Sequence, residues 1–404
     1  MAGDPTRRCG VSLPRVRFRP VILLAMALLL AGCGNAPEPE VLGVGPTAGL
    51  LPVAPAVTPQ PLPAALLRTP EPTPTPEPVA APVPAVAERP AAGNPRGDAP
   101  VPAAGRAVDT SRPDRVVGDG TAASCTSAAV VSAVAAGGVI TFSCGPGPVT
   151  IRMERTALVE NRSARVVLDG GGLVTLSGGG ERRIIYQNTC DEERGFTTSH
   201  CDDQEEPHLV LQDLVLADGN ARGTTTEDGG GGAVFVRGGQ LTVIGSRFTD
   251  NRCHAVGQDL GGAAIRVLDQ FEDRPVVVSG STFEGGSCAN GGALSSIGVS
   301  WTVRNSVFRD NEATGRGANP ARDGTPGGGS GGAIYADGNT FTVDLAGTVI
   351  EDNRAAEGGG AVFFVSNDRS GELRVDGSTA LRRNTSGGFE TAGRPGIFVL
   401  DRTT

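Results

Sequence analysis

Gly-Gly-Ala followed by a branched or aliphatic residue returns at residues 231–234, 291–294, 331–334 and 359–362, with a looser copy beginning at Gly261. Successive starts lie roughly 30 residues apart, with one step of roughly 40, a spacing that belongs to solenoids, propellers and arrays. Each copy is followed by an apolar residue and, three positions later, often by asparagine: Phe248 and Asn251, Phe308 and Asn311, Ile350 and Asn353, Leu381 and Asn384. The second copy carries Phe283 but has Gly286 where the asparagine would stand. Between these landmarks lie short runs such as 241–243, 276–278, 301–303 and 341–343, which read as strands. They are too short for propeller blades, and no tryptophan–aspartate signature accompanies them. The chain is expected to be all-β, a parallel β-helix solenoid with one repeat per coil and two or three strands in each coil.

Equivalent positions in such a coil stack on one another. Asn251, Asn311, Asn353 and Asn384 are therefore expected to turn inward as an interrupted structural ladder, since a buried amide must be paired. The apolar residue three positions before each is expected in the core.

The combination of Gly-Gly-Ala-Ile/Val/Leu with Phe-x-x-Asn resembles the repeats of the chlamydial polymorphic membrane proteins. More broadly it resembles bacterial right-handed parallel β-helix proteins of the pectin-lyase-like fold. The likeness covers about 230–384 and extends less closely back to about Val116. It implies a right-handed coil and adhesion at a cell surface. Those membrane proteins end in a β-barrel; the last repeat here is followed closely by Thr404, and no barrel is expected.

The N-terminus reads as an export signal. Arg7, Arg8, Arg15, Arg17 and Arg19 precede an apolar run from Val21 to Ala31, shorter than the ~20 residues a spanning helix needs. The run ends Leu30-Ala31-Gly32-Cys33, which resembles the lipobox of bacterial lipoproteins. That resemblance implies a signal peptide over 1–32 and lipidation of Cys33. Residues 33–114 then form a disordered linker rich in Pro and Ala, without apolar periodicity. The β-helix domain is placed at 115–404, with a cap over 115–145 and coils over 146–404. A net charge of -9 argues against a nucleic-acid partner. The expected location is extracytoplasmic, on a bacterial membrane or cell surface, with the lipid as membrane partner.

Six cysteines remain for the exported domain, and an even set in an exported chain points to disulfides. Cys253 and Cys288 each lie two residues after the asparagine slot of their coil, so they share a register position. Stacked strands ~4.8 Å apart suit a disulfide between them. Cys125 and Cys144 flank a short helix, with Thr126 as N-cap and Gly137 at its C-terminal end, suited to capping the open solenoid. Cys190 and Cys201 are expected to close an acidic loop.

Catalytic candidates are sparse. All 35 basic residues are arginine, which excludes a lysine base. Arg266 beside Asp259 and Asp269 is one lyase-like set. His200 with Asp202 and Asp203 superficially fits a glycosidase, without that family's other motifs. Asp250, Asp310 and Asp352 precede the ladder asparagines, with arginines close by, and read as neutralised turn carboxylates. The oxygen-rich loop 190–206 is of a kind that binds calcium, but its spacing matches no metal motif and it reads as a solvated acidic face, and His200, His208 and His254 give no zinc constellation. No catalytic, cofactor-binding or metal-binding residue is expected. The reading is a lipid-anchored surface protein that binds a polysaccharide or a host or neighbouring-cell ligand without turnover. The alternatives are a polysaccharide lyase or glycosidase, and a passive envelope spacer. Two loops, 190–206 and 315–330, are candidate contact surfaces, the first favoured because its disulfide pre-organises it.

Overall fold

The computed structural model describes residues 91–404, Glu227 excepted; the expected signal peptide, the expected lipidation site Cys33 and most of the expected linker lie outside the described residues. Four sheets carry the coils, and every strand pairing within them is parallel. One coil shows the order. Val234–Arg237 belongs to sheet I, Gln240–Ile244 to sheet II, Arg247–Thr249 to sheet III and Arg252–Cys253 to sheet IV. A variable loop then leads back to sheet I. The two or three strands expected per coil are thus four, because the residues after each ladder position make a further two-residue strand. The chain is a parallel β-solenoid. No helix among the described residues is long and apolar enough to cross a membrane.

Register explains the repeat. Val234, Ile265, Leu294, Ile334 and Val362 stack in sheet I. The loose copy therefore fits one residue later than its motif suggests, with Gly262 in the slot of Gly231, Gly291, Gly331 and Gly359. All five have positive φ, and a Cβ on any of them would strike the carbonyl oxygen three residues ahead. Only glycine satisfies both conditions. Behind sheet III, Phe248, Phe283 and Phe308 stack at 4.8 and 4.7 Å between ring centroids, and Ile350 continues the column.

The asparagines pair from coil to coil. Asn311 donates to Asn353 Oδ1 and Asn353 to Asn384 Oδ1, both at 2.9 Å. Each Nδ2 also reaches back to the carbonyl of the previous coil's core column: Asn251 to Leu216, Asn311 to Phe283, Asn353 to Phe308 and Asn384 to Ile350. Gly286 interrupts the ladder; its N–H donates to Asn311 Oδ1. Immediately before this column stand Asp218, Asp250, Asp310 and Asp352, all with positive φ. Aspartate tolerates that conformation better than most residues. A second ladder occupies the corner between sheets II and III. Ser246, Ser281, Ser306 and Thr348 each accept from the backbone N–H of the preceding coil.

Three disulfides hold the domain. Cys253 and Cys288 are joined across neighbouring coils with Cα atoms 4.7 Å apart, in a column otherwise filled by Ala221, Ala313, Ala355 and Ser386. Cys190 is joined to Cys201 and Cys125 to Cys144. The helix Ser127–Ala136 begins at Thr126, whose hydroxyl accepts from Ala129 N–H, and it ends at Gly137 with φ 69°. It buries Val130 and Val134 against the first coils.

The linker ends earlier than the composition indicates. Residues 91–113 lie on the solenoid as an extended strap. Val108 covers the outward residues Val139, Val167, Val210 and Ile244 of sheet II. The sequence signal for this lay in the strands beneath. Runs such as Val166-Val167-Leu168 and Leu209-Val210-Leu211 are apolar without alternation, which marks a sheet covered on both faces.

Candidate functional site

Residues of sheet I alternate between the core and an outer face. One outer column reads Tyr186, Phe235, Arg266, Ser295, Tyr335, Phe363 and Phe398. Tyr186 stacks on Phe235, Tyr335 on Phe363 and Phe363 on Phe398, with centroids 5.4, 5.0 and 5.2 Å apart. The loops from sheet IV to sheet I fold over this column and bury most of it. The neighbouring outer column reads Arg237, Leu268, Ile297, Asp337 and Val365. It lies at the edge of the loop cover, and a cleft of about 500 Å³ opens there.

Leu260, Leu268 and Ile297 give the cleft an apolar wall, and Asp259, Asp269 and Asp337 bring carboxylates. Arg266 lines it too, 2% exposed, with Nη1 donating to Ser295 Oγ at 3.2 Å. The loop 315–330 is ordered here. Arg316 and Gly327 exchange backbone hydrogen bonds, forming an antiparallel hairpin that carries Asn319 near its tip. Asn319 Nδ2 donates to Asp259 Oδ1 at 2.7 Å, to Asp337 Oδ2 at 3.3 Å and to the Tyr335 hydroxyl. Asp337 also accepts from Tyr335 OH at 3.0 Å, Asn367 Nδ2 at 3.1 Å and its neighbour Gly338 N–H at 2.7 Å. Burial pushes the Asp337 carboxyl above its ordinary range, although these donors favour its charged form. Tyr335, almost completely enclosed and beside two aspartates, is pushed well above the usual phenol value.

Arg266, Asp259 and Asp269 thus meet in one cleft. The other candidates do not join it. Asp202 pairs with Arg237 at 2.7 Å, Asp203 accepts from Glu272 N–H, and His200 stands on the acidic loop beside them. Cys190, Cys201 and Asp202 lie close enough to suggest a metal site, but the two sulfurs are bonded to each other. Asp250, Asp310 and Asp352 serve the sheet III corner; Asp352 is held low by hydrogen bonding to Arg383.

Asn319, Tyr335 and Asp337 were missed in the sequence. The one signal was the long step between repeats, which supplies the hairpin. Arg183 was missed as well. It donates to the carbonyls of Asp228, Gly230 and Gly231 and sits over the Tyr186 and Phe235 rings. Burial pushes it down to about 10. It fixes the glycine-rich entry to the first full repeat. No protein-family model matches this chain, and neither a curated protein nor a solved structure matches it.

Proposed function

We propose that this chain is a lipid-anchored, extracytoplasmic display protein whose solenoid, right-handed as in pectin-lyase-like proteins, binds a ligand in the sheet I cleft without turning it over. The cleft carries the proposal. It combines an apolar wall with carboxylates and amides, a lining that suits a polyhydroxylated ligand such as a cell-envelope glycan. The repeat motifs are committed to stacking and leave recognition to the loops. Lipidation at Cys33 and the Pro-rich segment after it supply the anchor and the reach. The likeness to chlamydial polymorphic membrane proteins favours adhesion as the biological use.

A carbohydrate-active enzyme is the second reading, favoured by the meeting of Arg266 with Asp259, Asp269 and Asp337, whose carboxyl burial pushes up, in one cleft. A glycan array followed by product analysis, using the purified chain, separates them. Binding without new reducing ends or unsaturated products supports display. Turnover supports the enzyme. Absence of both binding and turnover leaves the cleft an architectural gap and overturns both readings.

A further inference from the structure

We propose that residues 91–113 form a load-bearing strap, which receives pull from the preceding chain in the body of the solenoid and keeps it off the N-terminal helix. The proposal rests on the display reading in one respect: the pull comes from an anchor before residue 91. Two side-chain amides carry the argument. Asn305 accepts from Ala99 N–H and donates to Ala99 C=O, each at 2.9 Å. Gln212 accepts from Val108 N–H at 2.7 Å and donates to Val108 C=O at 3.3 Å. Each amide thus pairs with both backbone groups of one strap residue, as a neighbouring strand would. Between the clamps, Ser279 Oγ donates to the Gly105 carbonyl at 2.6 Å.

The strap runs against the direction in which coils are added. Asn94 lies on the late coils, bonded to the carbonyls of Asn305 and Gly347. Asp114 lies on the first, where its N–H donates to Val139 C=O. Coils of a solenoid otherwise contact only their neighbours, so their stability is a sum of local terms. A segment bonded to many coils at once couples them. At Asn305 the positive φ also suits asparagine, where the corners of the coils on either side carry Gly280 and Gly347. The asparagine supplies a clamp that glycine cannot.

Limited trypsin digestion of the full chain tests the clamps, because Arg96 and Arg106 lie within the strap. Asn305→Gly and Gln212→Ala should each speed cleavage there by roughly tenfold, the weight of two lost hydrogen bonds, while circular dichroism stays unchanged. Val108→Pro removes a donor from the strap side and keeps the test valid should a solenoid variant fold poorly. Pulling the intact chain from both ends should give a first extension of roughly 70 Å, about 20 residues of released strap, before any coil unravels. Equal cleavage of wild type and variants, or loss of the helical cap before that extension, overturns the strap. Failure of the anchor at Cys33 changes neither readout, so the two ideas fail separately.

Discussion

Asn353 donates to Asn384 Oδ1 at 2.9 Å while its own Oδ1 accepts from the backbone N–H of Asn311 at 3.0 Å. One side chain thereby satisfies groups in the coils on either side. Asn353→Ala should cost about 2–4 kcal/mol, because it strands the Asn311 N–H and removes a donor from the Phe308 carbonyl in the interior. Asn384→Ala should cost less, since that end of the ladder is partly exposed. Urea unfolding of both variants checks the order, and equal losses would contradict it.

Gly331→Ala should be damaging without removing any contact. Its φ of 71° disfavours a side chain, and the added carbon meets the Ile334 carbonyl. The expected loss is about 2–4 kcal/mol. Gly377, which has open space around it, is the control and should tolerate alanine in the same thermal melt.

Removing the cross-coil disulfide with Cys253→Ala and Cys288→Ala together should lower stability by about 3–4 kcal/mol on chain-entropy grounds, the loop being 35 residues long. Non-reducing peptide mapping of the purified protein should recover these two cysteines linked.

Asp337 gives a pH signature. Its folded-state pKa is raised, with burial the largest cause. Such a group stabilises the fold fully below the unfolded pKa and loses that contribution as pH rises through the folded one. Asp337→Asn should therefore flatten this part of the stability profile above pH 4. A difference profile between wild type and variant that rises with pH would show the sign to be wrong.

Cys33→Ser should release the protein from the membrane fraction. Tight association of that variant would remove the lipid from the proposal.

Repetition made the architecture legible. A glycine needed at positive φ, an aromatic in the core and an asparagine at a bend recur because each coil poses the same steric problem, and register alone then brought Cys253 opposite Cys288. The hydroxyl ladder of Ser246, Ser281, Ser306 and Thr348 escaped notice, since serine and threonine are common enough to look incidental.

The cleft and the strap were decided by tertiary structure. Arg266, Asp259 and Asp269 are near in sequence, but Asn319 reaches Asp259 only because the 315–330 loop folds back as a hairpin over sheet I. The strap belongs to a stretch whose composition reads as linker. What holds it is the outward apolar face of sheet II and two amides from coils far along the chain, Gln212 and Asn305. Local sequence fixes a coil because its constraints are steric and repeat every turn. It does not fix which extended segment finds an uncovered face, because that depends on surfaces assembled from residues far apart in the chain.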